Sequence, residues 1–349
     1  MTIIQNDSIS EQNQGGIKHN YPLAIEDASF KTAFSLLLKT MPYTLLRFAV
    51  LILVSIVTVI WIGITLGGYA GLASMKFDTL AMLWGLFSVG SYGGLWGLVI
   101  RYSLYMVKCG HIAVITELIT KGSISNGNEN MFLYGKRIVS ERFKDVNVLF
   151  VIDQTVNSVI KSFNRTLDWI SSLIPIPGLD KLMQLVQSVL YFAATFIDET
   201  IFSYTLARNE TNPWQGAQDG LIYYCQNSKE ILKTAVWAVI IDKIATVLIW
   251  ILFMLPGIAL TFIFPSQNWL TLPIILGGIL LGSNFRDAFL KPLFLIMIMV
   301  KFHVSVKAQP INAVWDERLT AVSSKFAEIK DNAIAWVKSS TGELKDKIA

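Results

Sequence analysis

The chain has 349 residues, 15% of them charged and 53% hydrophobic, with a net charge of +4 and a mean hydropathy of +0.51. Soluble domains carry about 25% charged residues, so this composition excludes a soluble enzyme, a disordered tail protein and a collagen-like chain. Cys109 and Cys225 are the two cysteines, and His19, His111 and His303 lie far apart; no disulfide framework or thiolate metal cage is expected.

The basic residues do not cluster as a nucleic-acid footprint requires, so no nucleic-acid partner is expected. What remains is an all-α integral membrane protein with several spans.

Residues 1–22 form a polar tail. No basic stretch runs from it into an early apolar core, so no cleaved signal peptide is expected. An amphipathic entry helix is predicted over 23–47. Residues 48–75 and 79–100 are then free of Asp, Glu, Lys and Arg for 28 and 22 residues. A span needs about 20 apolar residues, so a first transmembrane hairpin is read over 48–100, its helices near 48–68 and 79–100. A linker with cytoplasmic helices follows over 101–144.

Residues 145–208 read as a long helical hairpin. Leu149, Ile152, Val156, Val159, Phe163, Leu167, Ile170 and Ile174 recur at steps of three and four, the pattern of one amphipathic helix. Ile174-Pro175-Ile176-Pro177-Gly178 ends it. A second helix from about 179 to 207 is uncharged over 183–197. Either this hairpin dips partway into the bilayer or it packs as a cytoplasmic stalk. Partial entry is favoured, because the second helix is apolar on too many faces for a stalk.

Next comes an amphipathic entry segment over 209–243, with Asn212-Pro213 as a helix start. Residues 244–285 then run 42 residues without a charge, roughly 63 Å as helix. That is twice the hydrocarbon thickness, so Pro265-Ser266-Gln267-Asn268 must break a second hairpin, 244–286. A membrane-proximal segment covers 287–311.

The chain ends in an amphipathic helix over 312–349. Trp315, Leu319, Val322, Phe326, Ile329, Ala333 and Trp336 form a seam at alternate steps of four and three, among equal numbers of acids and bases. Balanced charge favours packing on protein over lipid. The partner is a like helix in a homo-oligomer, another protein, or this chain's own helices.

Of the 29 Lys and Arg residues, all but Lys76 fall on one side of these four spans. By the positive-inside rule both termini are cytoplasmic, and a bacterial cytoplasmic membrane is expected. The two hairpins also echo one another. Gly93, Gly97 and Arg101 close the first, and Gly278, Gly282 and Arg286 the second. Each G-x-x-x-G lets a neighbouring helix approach closely, and each Arg is expected to anchor at the lipid interface.

No nucleotide-binding, hydrolase or metalloprotease motif occurs. Neither an enzyme nor a cofactor is expected. Chemistry therefore rests on ionisable residues in apolar surroundings. Asp198-Glu199 and Asp242-Lys243 are candidates for the polar lining of a passage. The plainer readings are a helix leaving the membrane for the first pair and an interface anchor for the second. Gly67-Gly68 and Pro256-Gly257 are possible helix breaks of the kind transporters place near a substrate.

Three stretches carry a resemblance: residues 30–46 leading into the first span, Ile176-Pro177-Gly178-Leu179, and Asn212-Pro213-Trp214. In layout over 25–300 the chain resembles the CysZ-type sulfate permeases. That resemblance implies an oligomeric anion passage that uses no ATP. No binding residue carries over, and the charged tail departs from the pattern. Asp242-Lys243-Ile244 at a span entry is similar to choline transporter-like proteins. The leading expectation is passage of a small polar solute or ion. The alternative is a membrane scaffold that supports envelope integrity or partner assembly.

Overall fold

The computed structural model describes residues 21–142, 146–166, 182–263, 271–307 and 309–348, and among these it is all helix with no strand. In chain order the helices are α1 (Phe30–Lys39), α2 (Met41–Ser74), α3 (Asp78–Leu95), α4 (Arg101–Lys121), α5 (Met131–Arg142), α6 (Val146–Asn164) and α7 (Leu182–Ala207). Then come α8 (Pro213–Gln226), α9 (Ser228–Ile263), α10 (Thr271–Phe285), α11 (Lys291–Val306), α12 (Ala313–Val322) and α13 (Ser324–Ile348). Five-residue π segments, Trp96–Ile100 and Arg286–Leu290, join α3 to α4 and α10 to α11.

Among the described residues three helices are long and apolar enough to cross a membrane: Met41–Ser74, Ser228–Ile263 and Thr271–Val306. The expected fourth, near 79–100, is the 18-residue α3 with its π segment. Asp78, Ser88, Ser91 and Tyr92 dilute its apolar character. The other spans run further than the charge-free stretches suggested. α2 passes through Gly67-Gly68 to Ser74, and α9 passes through Pro256 without ending. Neither site is a helix break.

The chain divides into two compact units. The first comprises Met1–Leu36, Ile112–Ile241 and Phe294–Ala349; the second comprises Leu37–His111 and Asp242–Leu293.

In the first unit α8 packs against α6, α7 and α13. Its start is made locally: the Asn212 side chain accepts from the backbone N–H of Trp214 and Gln215, with Pro213 in the first turn. From there α8 is buried along most of its length, including Leu221, Ile222, Tyr223, Tyr224 and Cys225. The expected amphipathic entry segment is thus a core helix. Small side chains permit this: a Cβ on Gly220 would stand 2.9 Å from Ile201 of α7. The apolar faces of α7 that suggested membrane entry are covered in the same way, with Val189, Ala193, Ile197, Ile201 and Tyr204 buried in this unit. The described part of the long helix before it ends at Asn164; Leu167, Ile170, Ile174 and the Pro-Gly turn lie outside the described residues.

The tail is two helices, not one. Ser323 is extended (φ −147°, ψ 111°) between α12 and α13, the backbone of a helix N-cap. Leu319, Phe326, Ile329 and Ala333 are buried. The Trp315 ring meets Phe163 edge-on at 5.8 Å, and α13 packs on α6 and α8. The seam therefore lies on this chain's own helices.

In the second unit α2 and α3 form a hairpin turned by Lys76, at φ 60°. Indoles clasp it in both directions: Trp61 Nε1 donates to the Ser88 carbonyl (3.1 Å) and Trp84 Nε1 to the Thr65 carbonyl (3.2 Å). The Thr58 and Tyr92 hydroxyls share a 2.6 Å hydrogen bond. In a medium without water such bonds replace solvent partners and fix the helix pair. Asn284 of α10 donates to Ser55 Oγ of α2 (2.8 Å), and Phe48 lies against Phe285 and Phe289. The outward surface is apolar, with Leu53, Ile56, Leu86, Phe87 and Val247 exposed.

Candidate functional site

The most concentrated polar chemistry in the second unit lies where α9, the second π segment and α11 meet. Asp242 on α9 is buried and receives Arg286 in a fork: Nε donates to Oδ1 at 2.9 Å and Nη2 to Oδ2 at 2.6 Å. The remaining Arg286 nitrogen, Nη1, donates to Asp287 Oδ1 at 3.2 Å, and Lys291 Nζ donates to Asp287 Oδ2 at 2.6 Å. Two acids and two bases thus form one chain of no net charge. A bidentate arginine–carboxylate pair is among the stronger protein hydrogen-bonding arrangements. The π segment brings Arg286 and Asp287 onto the network, and π segments occur often at functional positions.

This geometry joins two residues that the sequence offered separately, Asp242 as polar lining and Arg286 as a lipid anchor. Arg286 is held by carboxylates instead. Lys243, beside Asp242, points outward and is exposed. The Arg101 side chain lies outside the described part of the structure.

Asp198 and Glu199 belong to the first unit and are not brought onto this network. Glu199 is buried and Asp198 half-buried on α7, where Asn157 Nδ2 of α6 lies 3.4 Å from Asp198 Oδ2.

The glycine pairs differ. A Cβ on Gly278 would stand 2.9 Å from the Phe253 carbonyl oxygen, and one on Gly282 would stand 3.0 Å from Trp250. A Cβ on Gly93 or Gly97 would meet nothing within 4 Å. Gly278→Ala should therefore cost about 1–3 kcal/mol by overpacking. Gly93→Ala and Gly97→Ala should leave stability unchanged or raise it slightly through helix propensity. Thermal unfolding in detergent micelles separates the two; equal effects at all sites would contradict the packing.

A buried chain in the first unit has no counterpart in the sequence reading. Tyr21 Oη lies 2.6 Å from His303 Nδ1, His303 Nε2 lies 2.8 Å from Ser203 Oγ, and Ser203 Oγ lies 2.7 Å from Thr116 Oγ1. Serine, imidazole and an orienting hydroxyl are the elements of an activated nucleophile. Here His303 and Ser203 are fully buried, so a substrate would have to enter between packed helices. We read the chain as polar core packing. Nearby, Arg208 Nη1 donates to Asp219 Oδ2 (2.5 Å), which also fixes α7 to α8. Burial pushes the Tyr21 and Tyr204 phenols and the Cys225 thiol upward, so all three stay protonated. His111 is pushed down to about 3, by burial first and by the charge of Arg47 second. It stacks on Tyr43 as a neutral ring. Sequence could not have linked Ser203 to His303, 100 positions apart, because neither residue sits in a local pattern.

The cleft beside Trp61 and Tyr92, about 220 Å³, is lined by Thr58, Ile62, Thr65, Leu66, Ser88 and Val89 as well and is almost wholly apolar. Among the described residues no group of three or more His, Cys, Asp or Glu stands ready to hold a metal ion.

No protein-family model, curated protein or solved structure matches this chain.

Proposed function

We propose that the chain passes a small polar solute or ion across a bacterial cytoplasmic membrane, without an ATPase of its own. In this reading the membrane part has four spans. Residues 78–100, about 35 Å of helix, supply the span that falls short on composition. Leu80, Met82, Leu86, Phe87 and Val89 are exposed there, as a lipid-facing surface requires. Four spans with the basic residues on one side place both termini in the cytoplasm, and a homo-oligomer would enclose the path.

One observation carries the proposal: a fully paired chain of four ionisable residues, Asp242, Arg286, Asp287 and Lys291, bordering the charge-free run 244–285. Ionisable groups bordering the hydrocarbon are costly unless paired, and are kept where they bind, gate or relay charge. Closed on itself, the Asp242–Arg286 fork acts as a gate that a polar solute must part.

The second reading is a membrane scaffold. It is favoured by the closed state of that same fork and by the dense helical packing of the first unit, neither of which offers an open polar path.

Flux of inorganic ions and small metabolites through the purified chain in sealed liposomes tests the choice. Asp242→Asn should change flux several-fold relative to wild type, while Asp198→Asn with Glu199→Gln tests whether the first unit lines the path. Flux that ignores Asp242→Asn removes the gate. No flux with any solute turns the assignment to the scaffold.

A further inference from the structure

Helix α1 divides into three sectors along its length. One is turned into the protein: Ala33, Leu36 and Leu37 are at most 4% exposed. Beside it, at steps of four, stand Phe30, Phe34 and Leu38, at 52%, 43% and 50% exposed, with the two phenyl rings stacked at 6.1 Å. At 100° per residue the third sector is Lys31, Ser35 and Lys39, all exposed. The helix starts at a fixed point, since Ser29 Oγ accepts from the Thr32 N–H (3.2 Å) and Asp27 Oδ1 accepts from the Ser29 N–H and hydroxyl.

We infer that α1 lies along the headgroup–acyl boundary of an anionic phospholipid leaflet, with Phe30, Phe34 and Leu38 in the acyl edge and Lys31 and Lys39 among the phosphates. Two observations choose this occupant. The chain passes directly from this row to α2, which begins two residues after Lys39 and carries exposed Leu45, Leu53 and Ile56. The charged sector holds cations and no acid, and the nearest acid, Asp27, is engaged in capping. An apolar row flanked by basic residues is the composition of an in-plane interfacial helix, and each Lys near an anionic surface adds attraction. The arrangement is confined to the first half of the chain, because α8, the segment in the corresponding place, is buried.

This inference rests on the membrane assignment and not on passage, so a negative flux experiment leaves it standing. Its test places a nitroxide at Phe34→Cys or Ser35→Cys in the full chain, reconstituted in phosphatidylcholine with and without phosphatidylglycerol. Cys109 and Cys225, 2% and 1% exposed, do not compete for the label. Collisions with a water-soluble nickel chelate should be several-fold rarer at 34 than at 35, and collisions with oxygen several-fold more frequent. Equal nickel access at both positions overturns the inference, and so does a label at 34 shielded from nickel and oxygen alike, which would mean protein covers the row. Lys31→Gln with Lys39→Gln should then raise nickel access at 34 in phosphatidylglycerol vesicles only. No change there overturns the anionic-lipid half.

Discussion

Asp242→Asn should lower stability by about 3–5 kcal/mol, the range seen when one partner of a buried ion pair is removed and the other charge is left behind. The size follows from placement. The Asp242 side chain is 6% exposed and that of Arg286 26%, so little water is available to replace the lost carboxylate. Arg286→Gln should cost a similar amount, because it strands Asp242 and also frees Asp287 from one of its two partners. Combining the two substitutions should cost clearly less than their sum, since the double variant leaves no unpaired charge at that fork. Lys243→Gln is the control, an exposed neighbour expected to shift stability by no more than about 0.5 kcal/mol. Denaturant titration of the purified chain in mixed micelles, followed by circular dichroism, reads all four variants. If both single variants match wild type, the fork is an ornament of the surface and the gate proposed above loses its basis.

The same fork shows how far the sequence could be read. Asp242 and Arg286 each stood out, because a charge inside an apolar run is costly and therefore visible. Their pairing across 44 positions was not visible, because it depends on the register of α9 against α10 and the π segment, and no local sequence pattern encodes that register. Glycine spacing showed Gly278 and Gly282 as a close-approach face. It gave Gly93 and Gly97 the same meaning, although among the described residues a Cβ on either would meet nothing within 4 Å. Spacing records where a close approach is permitted and is silent on whether a helix arrives. α7 and α8 misled in a different way. An apolar helix face looks alike in sequence whether lipid or protein covers it, and here Gly220 against Ile201 decided for protein. The tail seam was legible in its period and not in its break. Leu319 and Phe326 stay seven residues apart on either side of Ser323, so the apolar rhythm continues while the backbone does not.

That seam carries the other large expected effect. Phe326→Ala should destabilise the first unit by about 3–5 kcal/mol, the usual cost of emptying a buried phenyl site, because Phe326 is fully buried on a helix that packs against α6, α8 and α12. Val322, on the same seam by spacing, is 41% exposed, and Val322→Ala should change stability by less than about 0.5 kcal/mol. Truncation after residue 311 should be worse than either. It would remove the Ala333 carbonyl that accepts from Asn212 Nδ2 at 3.0 Å, and Asp316, which accepts from Gln218 and Lys330. It would also uncover α6 and α8, so the truncated chain should aggregate or lose cooperative thermal unfolding in micelles. The competing idea, that the tail is a free handle for a like helix or another protein, gives the opposite result: truncation would leave unfolding unchanged and abolish only assembly. Leu319, Phe326 and Ile329 already lie at zero exposure on their own chain, so they are not free to meet a partner unless the tail first detaches. Loss of cooperative unfolding on truncation would place the tail in the core, and an unchanged melting curve with lost assembly would return it to the partner.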